Sequence, residues 1–596
     1  MTANPIGHSA PRSRAARAAA AAAIAIAAAI AAAIIIVTGS SASPLVSVYP
    51  LPGTHEAPPG TQITFRGLPR DAIGHVVVRG SSSGRHRGVV KSDSDGQGAS
   101  FLPRSAFTPG ERVTVSTSLR VRGARRGTFS FTVERPSHPI TSTPLPVVPA
   151  GPGQVDAFRS RPDLRPATVT VAADATPPAE GEIFVAPQNG PYQDGPMIVD
   201  PQGRLVWFKP FPVSSRTLIT DFREQTYLGK PVLTWWQGFE NQGSGRGEGV
   251  IYDTHYRQVA TVRAGNGLSA DLHEFLVTPQ GDAYLTAVSP VSIAGIHKPV
   301  ADAVVQEVDI RTGLVLFEWH ALDHIPLKQS EMTPESPGHI FDPYHVNSIW
   351  PTADGKLIVS MRNTSAIYEI DKRTGRIVWT LGGKASSFRM GAGTQTAFQH
   401  NAVLHRDGTL TLFDDGAGPP KVHTHSRGIR VALDTKRMTA TLVREYDHSP
   451  PTLANFEGST QALDGGDVVL GWGQQPYISE TDASGRQILD ARFTGPNSSY
   501  RAYRFRWSGA PADRPAVTAQ NGASTTTVYV SWNGATRVAR WRVLGGSAPG
   551  SMRTLTAVPR SGFETAIPVP RQADVEVQAL DPDGHVLGTS AVTPAR

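Results

Sequence analysis

An all-β protein, a six-bladed β-propeller flanked by N-terminal and C-terminal β-sandwiches (Ig/fibronectin III-like), is what this sequence predicts, on three observations. Gly (58) and Pro (49) are abundant among 596 residues, which favours many turns and short strands over long helices. From about residue 180 a motif recurs: an apolar pair, an aspartate, a glycine turn, then an apolar strand usually ending in an aromatic. Its six aspartates, Asp200, Asp253, Asp309, Asp371, Asp434 and Asp482, lie 53, 56, 62, 63 and 48 residues apart. Further hairpins fall between them, around residues 276–287, 357–361, 410–413 and 468–472, which makes four strands per period. Four-stranded units repeating at this spacing are the pattern of a propeller, and six copies give six blades. A solenoid is the next reading; the four-strand unit and the absence of helical periods count against it.

The elements follow in order. In residues 1–43, Arg12, Arg14 and Arg17 precede an unbroken apolar stretch at 18–37 and then small residues. That arrangement predicts an export signal or, at twenty apolar residues, an uncleaved N-terminal membrane anchor. Either way the remainder is expected outside the cytoplasm, secreted or held at the cell surface. Residues 44–136 alternate in short strands between Gly, Pro and Ser clusters, as a β-sandwich does. Residues 137–180 read as a Pro-rich linker and lead-in, residues 181–508 as the propeller, and residues 515–596 as a second, fibronectin III-like sandwich.

Composition excludes several classes. No cysteine is present, so disulfides, thiolate metal sites and cysteine nucleophiles are all ruled out. The net charge of +7 comes from scattered arginines, with no basic block alternating with aromatics, so no nucleic-acid partner is expected. No phosphate-binding glycine loop or dinucleotide fingerprint stands in a strand–helix context.

Three histidines occupy equivalent places in successive repeats: His273, His345 and His400. Each is followed by an apolar run and a turn glycine (Gly281, Gly355, Gly408), 8, 10 and 8 residues on. Equivalent positions of a closed repeat converge, so the imidazoles are expected to share one mouth of the central channel. Asn347, two residues past His345, is expected on the same side of its strand, and Arg362 returns a cation to the region. Three imidazoles suit zinc. An arginine suits a tetrahedral oxyanion better, with imidazoles donating hydrogen bonds or acting as nucleophile. His423 and His425 are a weaker metal candidate, read as a solvated loop. His320, His324 and His339 are read as structural, and Asp414 and Asp415 as shaping a strand-end turn.

Further motifs carry a resemblance: 158–162 (Phe-Arg-Ser-Arg-Pro), 195–200 (Gly-Pro-Met-Ile-Val-Asp), 233–238 (Leu-Thr-Trp-Trp-Gln-Gly), 271–275 (Asp-Leu-His-Glu-Phe), 344–348 (Tyr-His-Val-Asn-Ser), 361–364 (Met-Arg-Asn-Thr) and 399–402 (Gln-His-Asn-Ala). In this order they resemble the nucleotide-independent bacterial arylsulfotransferases, in a divergent secreted branch. The resemblance implies ping-pong transfer of a sulfuryl group from a phenolic sulfate to a phenol acceptor, with no cofactor and no metal. It implies His400 as the nucleophile that becomes a sulfohistidine, and His345, Asn347 and Arg362 as ligands of the sulfuryl oxygens. His273 would contact that group or carry a proton to the leaving phenolate. Trp235, Trp236 and Trp472 are expected either as an aromatic wall for the phenol or as packing between blades. The competing readings are a non-catalytic extracellular module binding an anion or glycan, and a metal-dependent lyase or hydrolase using the same histidines.

Overall fold

The computed structural model describes residues 44–137, 148–172, 180–418, 420–547 and 549–596. The expected leader and much of the expected linker lie outside the described residues. From Val46 onward the chain is one compact unit. It is all-β: antiparallel sheets joined by loops and three-residue helical turns, with no α-helix among the described residues. None of the described helices is long and apolar enough to cross a membrane.

Period-two patterning builds the two ends. In Thr128–Thr132 the side chains of Phe129 and Phe131 are buried while their neighbours are not, as strand alternation requires. Two four-stranded sheets at the N-terminal end share one core, with Val48, Ile63 and Phe65 facing Val78, Val113 and Phe131. A three-stranded and a larger sheet at the C-terminal end close on Val528, Val530, Trp541, Val543 and Val577.

Between them lie six antiparallel four-stranded units. Their first strands are Ser498–Phe505, Leu218–Tyr227, Ala270–Val277, Val346–Pro351, His400–Leu404 and Ser459–Ala462, and these touch one another in a closed cycle in that order. The cycle is fastened by Ser498–Phe505 pairing with Glu182–Gln188, so strands distant in sequence share one unit. The recurring aspartates sit at the turn from third to fourth strand. There Asp200 Oδ1 accepts the amides of Gln202 and Arg204 at 3.0 and 2.9 Å, and Asp482 Oδ1 those of Ser484 and Arg486 at 2.9 and 3.0 Å. The sequence repeat is therefore turn chemistry: an aspartate side chain stands in for a backbone acceptor where the chain reverses.

Within the expected linker and lead-in, Val169–Val171 pairs with Gln487–Phe493 as an added outer strand on the sixth unit, and Leu164 is fully buried. The end sheets also dock on the ring. Gln62 Nε2 donates to Val315 O at 2.8 Å and Ser289 Oγ to Glu134 Oε2 at 2.9 Å on one side. On the other, Trp507 Nε1 donates to the Tyr256 hydroxyl at 2.8 Å, which donates on to Gly534 O at 2.7 Å.

Candidate active site

His273, His345 and His400 belong to the third, fourth and fifth units. His273 lies within Ala270–Val277, His345 directly precedes Val346–Pro351, and His400 opens His400–Leu404. Each strand breaks register at its histidine: between Ala270 and Phe275, Val346 and Ser348, and His400 and Val403. His345 (φ 55°) and Asn401 (φ 53°) adopt the left-handed conformation that side chains other than glycine rarely take. Such breaks re-aim side chains, and here they turn three rings to one place. The rings of His273 and His345 are 4.6 Å apart, and Tyr500, from the closing strand, stands 5.7 Å from His273 and 6.5 Å from His400. Gly243 covers the group; a Cβ there would lie 2.9 Å from His345 Cε1.

Each imidazole is anchored at Nδ1 by its own aspartate: His273 by Asp271 at 2.5 Å, His345 by Asp342 at 2.6 Å and His400 by Asp415 at 2.7 Å. The described residues offer no hydrogen-bond partner to Nε2 of any of the three. An Nδ1–H donated to an ionised carboxylate fixes the tautomer and leaves the lone pair on Nε2; burial pushes Asp415 well above the usual carboxylate range against the pull of Arg362, so at His400 this tautomer requires Asp415 to be ionised. Burial, with Arg362 and the other two histidines, pushes His400 well below the usual imidazole range, so it stays neutral. Burial likewise lowers His345, against the pull of Asp342, while the imidazoles hold Asp271 and Asp342 below the usual carboxylate range in spite of their own burial.

Arg362 supplies the cation. Its guanidinium lies 4.9 Å over the Phe398 ring and donates to Asn363 Oδ1 at 2.9 Å and Asn455 O at 3.0 Å, while its Nε is buried without a partner. Asn347 is buried beside His400, its Nδ2 donating to Gln399 O at 2.7 Å and its Oδ1 unpartnered. Strand alternation does not set its direction relative to His345, since the register breaks between Val346 and Ser348.

The three tryptophans are not at the site. Trp235, Trp236 and Trp472 are all 0 % exposed. Their indole nitrogens donate to Gln237 Oε1, Ala270 O and Ser479 Oγ, and their rings pack against Phe222, Phe275 and Phe413 in the core. No face is left for a ligand, so the aromatic-wall expectation is corrected to packing. Asp414 ends the strand Thr409–Asp414 and accepts from Ala397 N and Arg427 Nε, 17 and 13 residues away in sequence, so it ties segments together and does not close a local turn, and Asp415 is the partner of His400. The sets of His, Asp and Glu whose ligand atoms all lie within 4.8 Å of one another are, among the described residues, His425 with Glu445 and Asp447, and Asp581 with Asp583 and His585. The three ring histidines do not form such a set.

Sequence reasoning missed the groups behind the histidines. Arg501 donates to Asp221 Oδ1 at 2.8 Å, Asn347 O at 2.6 Å and Glu274 Oε2 at 3.3 Å; Arg223 donates to Asp221 Oδ2 at 2.9 Å and to Glu274 Oε1. Two guanidiniums and two carboxylates thus compensate each other inside the ring. Beyond them lies a cavity of about 440 Å³ to which all six first strands contribute, with Arg223, Glu274, Trp350, Asn401, Gln461 and Tyr503 among its walls. The three histidines are not among its walls.

Residues 223–494 match the family model of the arylsulfotransferases (ASST). That segment contains all three histidines, their three aspartates, Asn347 and Arg362. No curated protein matches the chain. Among solved structures, the periplasmic gluconolactonase of Pseudomonas aeruginosa is 13 % identical over 65 % of this chain and 99 % of its own, with a TM-score of 0.31. A streptogramin B lyase is 12 % identical over 61 % and 94 %, at 0.29, and virginiamycin B lyase from Staphylococcus aureus 11 % over 60 % and 95 %, at 0.27. These likenesses are too remote to carry an argument about chemistry.

Proposed function

We propose that this protein is an arylsulfotransferase: a six-bladed β-propeller between two β-sandwiches that moves a sulfuryl group from a phenolic sulfate ester to a phenol by a ping-pong route. The observation that carries the reading is a buried, neutral His400 with Nδ1 on Asp415, Nε2 unpartnered and Arg362 beside it. In the first half-reaction Nε2 attacks sulfur, the N–S bond forms, the S–O bond to the aryl group breaks, and a phenolate leaves. The ring becomes cationic, and Asp415 faces that charge through Nδ1–H. Arg362 binds the sulfuryl oxygens. His345 and His273 line the same pocket and contact the sulfuryl group. Asn347 fixes the backbone at Gln399, next to the nucleophile. In the second half-reaction an acceptor phenol oxygen attacks sulfur, the N–S bond breaks and His400 is regenerated. The apolar stretch at 18–37 supports an extracytoplasmic setting for this chemistry.

The test is mass spectrometry after exposure to para-nitrophenyl sulfate. A gain of one sulfuryl group on the peptide containing His400, lost on adding a phenol, is expected. Ligand binding with no such gain, and no acceptor-dependent release of nitrophenolate across a panel of phenols, overturns the proposal in favour of a binding module.

A further inference from the structure

The loop entering the first strand Ser459–Ala462 runs beside the three histidines and is pinned at both ends. Ser426 Oγ accepts Ala454 N at 2.8 Å and donates to the carbonyl of Asp415 at 2.6 Å, tying the loop to the partner of His400. Arg362 Nη2 donates to Asn455 O at 3.0 Å, and Gly458 N donates to Tyr500 O at 3.0 Å. Two residues remain between these anchors. Phe456 is 46 % exposed, and Glu457 holds φ at +71°, a backbone conformation that is costly for a glutamate. Gly473 makes room for both, since a Cβ there would come within 2.4 Å of Phe456 O and 2.9 Å of Glu457 Cβ.

The carboxylate of Glu457 differs from the others around the cluster. Asp271, Asp342 and Asp415 each hold an imidazole, and Asp221 and Glu274 hold arginines. Glu457 has no arginine or imidazole ion pair among the described residues; the Gln188 amide donates to its two oxygens at 3.1 and 3.2 Å. The charged and titratable groups around it are His273 and Glu240, and Tyr500 and Asp415 feel its charge in turn. Burial pushes it up to about 7, so it can exchange a proton near neutrality, which a general base or acid requires.

Resting on the sulfuryl-transfer reading, we infer that Glu457 is the general base for the acceptor, with Phe456 presenting an aromatic face to the incoming phenol. As the phenol oxygen attacks sulfur, the O–S bond forms, the N–S bond to His400 breaks, and the phenolic proton passes to the Glu457 carboxylate. In the donor half-reaction the protonated carboxyl returns that proton to the departing phenolate.

Acceptor acidity tests this. With para-nitrophenyl sulfate as donor, Glu457→Gln is assayed against phenols graded from weakly to strongly acidic. The expected loss is on the order of 100-fold for the weakest acids, shrinking steadily for phenols that arrive already ionised, with partial recovery in Glu457→Asp. An equal loss across the series, the mark of a purely structural role, overturns the inference, as does no loss. The unaltered protein gives an independent readout. Its transfer rate to a weakly acidic phenol falls as pH drops below about 7, and this limb fades with a strongly acidic one; a limb that ignores acceptor acidity also overturns it. The underlying reading fails separately, if para-nitrophenyl sulfate leaves His400 of the unaltered protein unmodified, and the inference then falls with it.

Discussion

His400 at the ring mouth and His320 on the side facing the N-terminal sheets are both buried, at 1 and 3 % exposure, and both meet an aspartate through Nδ1 at 2.7 Å. They differ at Nε2. In His320 that nitrogen meets a second carboxylate, Glu318, at 3.2 Å, and these two acids raise the imidazole well above its ordinary range although burial opposes them. In His400 Nε2 has no hydrogen-bond partner among the described residues, and burial with Arg362 lowers the imidazole. One histidine is held towards its cationic form between two acids, and the other is a neutral base with an available lone pair. Burial plus a His–Asp pair therefore does not identify a reactive histidine; the field at the second nitrogen does.

The sharpest way to break this contrast is to delete each ring. His400→Ala is expected to lower sulfuryl transfer by about 10⁴-fold or more, as loss of a nucleophile does, without lowering the melting temperature much. His320→Asn is expected to leave kcat/KM unchanged, while costing about 3–5 kcal/mol in stability because Asp302 and Glu318 lose their cation. Steady-state kinetics and thermal melts on the two variants measure both. Comparable activity losses would erase the distinction.

The partner aspartates come next. Asp415→Asn lets a side-chain amide donate to Nδ1, which moves the imidazole proton to Nε2 and removes the attacking lone pair. A fall on the order of 10²–10⁴ in the rate of His400 sulfation is expected, read by single-turnover mass spectrometry. Asp302→Asn should leave that rate alone and lower stability. Equal rates for Asp415→Asn and the unaltered protein would mean that Asp415 does not set the tautomer.

How far the sequence foretold this follows from chain geometry. The recurring aspartates were legible because their job is local: each binds amides two to four residues away. The histidines were legible because repeat register carries a position around a closed cycle. Asp415 was misread, since its role depends on antiparallel pairing that returns residue 415 to residue 400. Tyr500, Arg501 and Glu457 carry no local signal at all: the first two come from the strand that closes the cycle, and Glu457 is placed by anchors on either side. The tryptophans failed for the opposite reason. A Trp–Trp pair reads the same whether it packs between sheets or faces a phenol, and only its 0 % exposure separates the two.

The smallest expected effect is also the one most specific to the comparison, namely the sign of each histidine's pH dependence. His400 is lowered on folding, so the unfolded chain binds more protons below about 6.5, and its contribution to stability is complete above that pH and lost as pH falls. His320 is raised, so its contribution is complete below about 6.5 and lost as pH climbs through its folded value. Melting temperatures measured from pH 5 to 9 should therefore show His400→Asn flattening the acid side of the profile and His320→Asn flattening the alkaline side. If both variants alter the same side, the two imidazoles share one charge state in the folded protein, and the argument that makes His400 the nucleophile loses its electrostatic basis.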